Sequence, residues 1–352
     1  MSTMKAIVIN AAHDVSLQER PIPKCQDPTD VVIKVELAAL CGSDLHVYRG
    51  HQKGGFGFIM GHELVGHVHE IGSGVKSFKV GDYVVCPFTV SCGECFYCAR
   101  GHTGRCVKSK LIGSPLLDGA QAEYARIAMG ETTLFQAPTT IPKEILILMA
   151  DIFPTGYFVA KKAKDHLVQA EGAGHKEETT CVVIGCGPVG LCAITSATEF
   201  FTHVYAIDSI PARLDLAKKH GATKTFNFQD KSVDYLSEIK SVTNGRGADV
   251  ALEVVGHPSA LQTAVEVVRP HGIISSCGVH THPLSLQGPD CYNKNLKFDF
   301  GRCPVRALFR DALKLLEKKQ DLFKGFVENV VPMEECQEWY QKFEVSETWG
   351  DR

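Results

Sequence analysis

The sequence predicts an α/β chain in two parts, a mostly-β N-terminal part followed by a doubly wound parallel sheet covered by helices. Three observations predict it. Roughly the first 150 residues are rich in glycine and in short β-type segments bounded by turn residues. From about Cys181 the rhythm changes to strand followed by amphipathic helix, the alternation that builds a parallel sheet with helices on both faces. Six strand-like segments follow in that second part, the strand count of a doubly wound sheet.

In the first part, Lys5–Ile9, Asp30–Leu37, Leu64–Ile71 and Tyr83–Pro87 each read as a strand between turn residues. The polar stretch Gln169–Thr180 reads as a surface loop leading into the sheet. Cys181–Ile184 is then a buried strand, and a helix opens after Pro188. His203–Ile207 precedes a helix over Pro211–His220, with Pro211 in the first turn, where its missing N–H is not needed, and Gly221 as the stop. Thr223–Asn227, Val250–Val255, Ile273–Cys277 and Leu296–Phe300 supply four more strands. The segment Glu344–Arg352 lacks a closing apolar strand, which reads as an unusual or shortened end. No internal repeat or low-complexity tract interrupts the pattern.

Bulk composition fits an intracellular enzyme, cytoplasmic by expectation. With 352 residues, 44% hydrophobic and 22% charged, the chain can bury a large core in two domains. A net charge of -3 gives no electrostatic reason to expect nucleic acid or an anionic membrane as partner. Most of the fourteen cysteines are scattered singly through apolar runs, as reduced buried thiols are. The N-terminus carries no basic region followed by a long apolar core, so no secretory signal is read there. The longest apolar stretch, Cys181 to Ile194, is broken by three glycines and a proline, and is shorter than the ~18 residues a membrane span needs.

Four cysteines, Cys92, Cys95, Cys98 and Cys106, lie within 15 residues. Two-residue gaps let the chain turn and point successive sulfurs inward, so one loop can enclose a tetrahedral Zn²⁺. Gly93, Gly101 and Gly104 supply backbone freedom for that winding. A shell of four thiolates leaves no open position, so such a metal holds a loop and does no chemistry. The alternative is two disulfides or four unlinked thiols; the short gaps and the absence of secretion signs oppose it.

Gly185-Cys186-Gly187-Pro188-Val189-Gly190 matches G-x-G-x-x-G after a buried strand and at the opening of a helix. There the helix N-terminal amides can hold a pyrophosphate. Gly185 permits the tight turn, Gly187 the close approach of backbone to phosphate, and Gly190 the packing of helix on strand. Asp208 ends the next strand, 18 residues beyond Gly190, placed to accept hydrogen bonds from both adenosine ribose hydroxyls and to repel a 2′-phosphate. That selects NAD(H) over NADP(H). Arg213, farther along, either covers the adenine, or rescues a phosphate, or is a solvated helix residue.

A second set of metal-ligand types lies upstream: Cys41, then Gly61-His62-Glu63. Thiolate and imidazole suit Zn²⁺, and three protein ligands would leave a fourth position for a substrate oxygen. Cys41-Gly-Ser43-Asp44-Leu-His46, Gly61-His62-Glu63-x-x-Gly66, Gly81-Asp82-x-Val84, the four-cysteine loop and the glycine fingerprint occur in that order. With this ordered set, covering nearly its whole length, the chain resembles a zinc-dependent medium-chain alcohol or polyol dehydrogenase.

The resemblance implies a GroES-like catalytic domain over 1–154, a Rossmann NAD-binding domain over 155–304, and a return over 305–352 that completes the first, with the active site in the cleft between the two domains. It implies a catalytic zinc on Cys41 and His62, with Glu63 either a ligand in some states or a partner behind the ligands. In Ala150-Asp151-Ile-Phe-Pro-Thr155-Gly156, Asp151 is similar to the third ligand of secondary-alcohol members; alternatively it is a helix-terminal aspartate. Together with the structural site this makes two zinc ions per chain. The metal would act as a Lewis acid on the alcohol or ketone oxygen while hydride passes to or from the nicotinamide. Ser43 and His46 would relay the proton outward, His46 otherwise being a surface histidine. The family also implies a homodimer or homotetramer acting on a small-molecule alcohol, polyol or ketone. A nucleotide-binding or redox-sensing protein without turnover is the alternative, and a zinc-free quinone reductase would have no use for Cys41 with His62. His67 and His69 share one strand face, where a polar surface is the simpler reading than a metal pair. His51 and His102 read as solvated, and Phe88 and Tyr48 as either lining of the substrate cleft or ordinary core.

Overall fold

The computed structural model of the chain describes residues 2–51, 54–172, 178–284 and 286–348. Internal contacts divide it into two units, 1–151 with 304–352, and 152–303.

In the first unit, β1 (Thr3–Ala11) and β2 (Asp14–Pro21) form an antiparallel ribbon whose turn holds His13 at φ 60°. Next come β3 (Val31–Ala38), α1 (Gly42–Tyr48), β4 (Leu64–Ile71), β5 (Tyr83–Cys86) and β6 (Tyr124–Ile127). The short elements α2 (Gly130–Thr133), β7 (Phe135–Gln136) and α3 (Lys143–Leu146) follow. A five-stranded antiparallel sheet runs β6-β3-β4-β5-β7. Its inward residues Val31, Ile33, Leu64, Val68, Val84, Cys86 and Ile127 form one buried core. Three strands escape the sequence reading. Asp14–Pro21 is largely polar and is held as β2 by pairing with β1, whereas β6 and β7 are too short to display an alternation.

The second unit opens with α4 (Ile152–Glu171), so the loop expected from Gln169 begins too early: Gln169–Glu171 complete a helix, and Glu171 pairs with Arg269. Residues 173–177 of that stretch lie outside the described residues. Then follow β8 (Thr180–Ile184), α5 (Pro188–Ala197), β9 (His203–Asp208), α6 (Pro211–Lys219), β10 (Lys224–Asn227) and α7 (Tyr235–Val242). β11 (Ala248–Glu253), α8 (Pro258–Val267), β12 (Val268–Ser276), α9 (Gly288–Lys294) and β13 (Lys297–Phe300) complete the unit. β12 starts at Val268, five residues before the expected Ile273, and runs across Pro270 and Gly272. All six strands are parallel in the order β10-β9-β8-β11-β12-β13. Winding reverses between β8 and β11, so the topological switch point, where such sheets bind ligands, lies at the carboxyl end of β8.

α10 (Val305–Lys319) and α11 (Cys336–Thr348) belong to the first unit, where α11 packs on β2 and α1. No helix among the described residues is long and apolar enough to cross a membrane.

Candidate functional site

Among the described residues, groups of three or more cysteine, histidine or carboxylate ligands gather in two places, both in the first unit.

Cys92, Cys95, Cys98 and Cys106 bring their Sγ atoms within 4.8 Å of one another. A tetrahedral ion with bonds of about 2.3 Å spaces its sulfurs by about 3.8 Å. Cys92 and Cys106 Sγ stand 3.5 Å apart. All fourteen cysteines are free, which removes the disulfide alternative. Backbone amides point at the sulfurs: Cys92 and Lys108 N–H donate to Cys106 Sγ, both at 3.3 Å, and Cys95 N–H donates to Cys92 Sγ at 3.4 Å. Amides of Cys98 and Val107 draw the Cys95 thiol down to about 6, while burial and the neighbouring Cys95 push Cys98 up to about 12. Four thiolates repel one another here unless a cation sits between them. The loop fits Zn²⁺.

The second group is Cys41, His62 and Asp151, whose ligand atoms also converge within 4.8 Å. Cys41 precedes α1, and His62 follows Gly61, which holds φ 87°. Asp151 is brought in by the 3.1 Å bond from Phe88 N–H to Ala150 C=O. His62 Nε2 lies 3.5 Å from Asp151 Oδ2, near the roughly 3.3 Å between nitrogen and oxygen ligands of a tetrahedral zinc. That nitrogen is buried and makes no hydrogen bond of good geometry. Its ring partner is committed: Nδ1 lies 3.1 Å from Asp44 Oδ1. Burial disfavours the His62 charge, but the carboxylates of Asp44 and Asp151 outweigh it and hold the imidazole well above its ordinary range. Burial, aided by the Glu63 charge, raises the Cys41 thiol to about 11. Both groups would give up protons to a metal. The donor set of one thiolate, one imidazole and one carboxylate fits zinc with an open position.

Asp44 is the residue that sequence reasoning missed. It is 2% exposed. Its Oδ2 accepts the Cys41 N–H at 2.9 Å while Oδ1 takes His62, so one carboxylate orients two of the three converging groups. The signal was available, since Asp44 sits inside the Cys41 motif. Glu63 is buried beside the cluster but is not one of the three converging groups. Ser43 and His46 are half-buried, three residues apart on α1, and so share a face.

Phe88 packs edge-on to His62, with ring centroids 6.3 Å apart. Tyr48 resolves to the core: it is buried against Tyr340, 5.1 Å between rings. His67 and His69 face outward from β4, His67 stacked on Tyr83 and His69 against Tyr124. His51 and His102 are exposed.

In the second unit, Gly185 takes φ 94°, and a Cβ on Gly190 would stand 2.0 Å from the Gly185 carbonyl oxygen. Gly187 has open space around its Cα, and Pro188 and Val189 begin α5 with Pro188 in the first turn. Asp208 is buried and already engaged: Oδ2 accepts Cys186 N–H at 2.7 Å, and Oδ1 accepts Ser209 and Ile210 N–H at 2.7 and 2.9 Å. The carboxylate therefore ties the glycine turn to the end of β9, a bracing role the sequence did not reveal. Arg213 is half-buried on α6, its charge acting on the Cys186 thiol.

The family profile "Alcohol dehydrogenase GroES-like domain" matches residues 27–139, and "Zinc-binding dehydrogenase" matches residues 188–318. Zinc-type alcohol dehydrogenase B of Aspergillus flavus is 49% identical over 341 residues, covering 97% of this chain and 78% of that protein. This chain belongs to the zinc-dependent medium-chain dehydrogenase/reductase family. Sorbitol dehydrogenase of Bacillus subtilis is 35% identical over 78% of this family member and 75% of its own length. Among solved structures, alcohol dehydrogenase TADH from Thermus sp. ATN1 aligns with a TM-score of 0.88 and 33% identity, covering 98% of this chain and 97% of that one. The two-part α/β fold and the resemblance drawn from the ordered motifs are borne out. The protein is a zinc-dependent oxidoreductase, and the reading as a non-catalytic binder is not favoured.

Proposed function

We propose that this dehydrogenase moves a hydride between NAD(H) and a secondary alcohol, a polyol or the matching ketone, at a zinc held by Cys41, His62 and Asp151. The observation that carries the metal assignment is the convergence of those three groups with Asp44 on the far nitrogen of His62. Bound zinc would supply a Lewis acid for the substrate oxygen, and bound NAD⁺ the hydride acceptor. Asp44 keeps the His62 proton at Nδ1, so that Nε2 presents its lone pair toward Cys41 and Asp151. Glu63 adds a buried negative charge beside the ligands and is assigned a supporting place. Ser43 and His46, on one face of α1, are assigned the transfer of the substrate proton toward solvent.

Asp208 supports the choice of NAD(H): a buried carboxylate at the end of β9 accepts from a ribose hydroxyl and repels a 2′-phosphate. Gly185, Gly187, Pro188, Val189 and Gly190 would seat the pyrophosphate at the start of α5, with Arg213 near the adenosine. Cys92, Cys95, Cys98 and Cys106 would hold a second, structural zinc. In this reading the first unit is the catalytic domain, completed by α10 and α11, and the second is the cofactor domain. The enzyme is a cytoplasmic homodimer or homotetramer, at home where its fourteen free thiols stay reduced. The test is NADH formation from a panel of secondary alcohols and polyols, with metal analysis of wild type and Cys41→Ser. Two zinc ions in active wild type and one in inactive Cys41→Ser are expected. Full turnover without zinc at Cys41 would end this reading.

A further inference from the structure

The segments that carry Cys41 and His62 are joined beneath the cluster by a buried polar bridge that reaches α11. Tyr340, in α11, is 1% exposed and donates its phenolic O–H to Gln121 Oε1 at 2.7 Å. Gln121, itself buried, passes the connection on through Nε2, which donates to Ala39 C=O at 3.0 Å, two residues before Cys41. The Ala39 N–H in turn donates to Glu63 C=O at 3.3 Å, next to His62. On its other side Gln121 grips the His62 turn. Its N–H donates to Met60 C=O and that of Ala120 to Gly61 C=O, both at 2.9 Å. A Cβ on Gly61 would stand 2.5 Å from Gln121 Cγ, so the turn lies directly on this side chain. The same helix holds the far end of α1: the Tyr340 ring packs on Tyr48, and Arg49 Nε lies 3.3 Å from Glu344 Oε1.

Each side chain of the bridge has its polar atoms matched, and no water-exposed alternative exists for a buried amide and a buried phenol. Burial and the nearby Asp44 carboxylate push the Tyr340 phenol well above its ordinary value, so it remains a donor throughout the working pH range. Resting on the assignment of a zinc to Cys41, His62 and Asp151, we infer that Tyr340 and Gln121 are positioning residues that fix the spacing of the Cys41 and His62 segments, so that retention of the catalytic metal is set from α11. The four-cysteine loop has no share in this bridge and serves as the internal control.

The experiment follows zinc release from the holoenzyme into excess EDTA, reading total metal against time for wild type, Tyr340→Phe and Gln121→Met. Wild type should release one ion in a fast phase, from the open site, and one in a slow phase, from the thiolate shell. Tyr340→Phe, which loses one buried hydrogen bond, should accelerate the fast phase by about three- to tenfold, and Gln121→Met, which loses two, by at least as much, with the slow phase unchanged in both. Cobalt placed in the fast-phase site should show a shifted thiolate-to-metal absorption band in both variants, which loss of general stability would not produce. Gln121→Met keeps Tyr340 and its packing and so carries the test if Tyr340→Phe does not fold. An unchanged fast phase, or both phases accelerating together with an unshifted cobalt band, overturns the inference. A wild-type protein with no fast-phase zinc overturns the metal assignment itself, and this inference with it.

Discussion

Replacing Asp44 by asparagine should weaken zinc binding at the Cys41–His62–Asp151 centre while leaving the fold intact. The carboxylate accepts two hydrogen bonds, from Cys41 N–H at 2.9 Å and from His62 Nδ1 at 3.1 Å. Asparagine has one oxygen. If it stays with Cys41, α1 keeps its start, and the amide NH₂ faces Nδ1. The imidazole then accepts at Nδ1 and carries its proton on Nε2, the nitrogen that lies 3.5 Å from Asp151. A protonated Nε2 has no lone pair for a metal. Hydrogen bonds to charged groups are worth about 1.5–3 kcal/mol, and Asp44 is too buried for solvent to compensate. A loss of about 2 kcal/mol corresponds to zinc affinity weakened about thirtyfold, within the range seen when the partner behind a metal ligand is removed. Chelator competition, with metal counted at each site, measures it directly. The four-cysteine ion should be untouched, and added zinc should recover part of the turnover. An Asp44→Asn protein that holds this zinc with wild-type affinity would refute the argument.

Three further outcomes are expected. Asp208→Ser should narrow or invert a preference for NAD⁺ over NADP⁺ and also weaken NADH binding by about tenfold, because Cys186 N–H loses its acceptor; wild type using NADP⁺ equally well would contradict this and move Arg213 into the phosphate role. His220, buried with Nδ1 2.8 Å from Thr195 Oγ1, is lowered from 6.5 to about 4 by burial. Below pH 6.5 the unfolded chain gains a proton that the folded chain refuses until about pH 4, so about 3 kcal/mol of stability is present above that window and lost across it as pH falls. His220→Gln should flatten this acid slope in unfolding midpoints, and an identical slope would show the account to be wrong. Cys98→Ser should release the loop ion and lower Tm by about 5 °C or more with the Cys41 site still loaded, which melting curves and metal analysis together decide.

How far the site could be read in sequence depended on how local each part is. The four cysteines lie in one loop, and the glycine turn lies between a strand and a helix, so both declare themselves by spacing. Cys41 and His62 were legible as ligand types within an ordered motif set. Asp151 needed the resemblance, because it lies 89 residues beyond His62 in sequence and is brought near by tertiary packing that includes the bond from Phe88 N–H to Ala150 C=O. Asp44 was visible but mute: its value comes from a partner 18 residues away across the turn of α1. Gln121 and Tyr340 give no sequence signal at all, since a glutamine and a tyrosine 219 residues apart are ordinary polar residues until packing buries them together. The same distinction explains the fold. The parallel sheet was read from strand–helix alternation, whereas β2 was missed because its polar residues become a strand only through β1.

The bridge from α11 also bears on the order in which the two ligand sets can be completed during synthesis. A chain made from its N-terminus displays Cys92 to Cys106 as one short loop that closes at little entropic cost soon after it emerges. The three-residue centre must instead wait for Asp151 to arrive from far along the chain, and for Tyr340 much later still. On the proposed two-zinc reading, the four-cysteine ligand set is complete first, and the spacing of Cys41 and His62 is braced only once Tyr340 has been made.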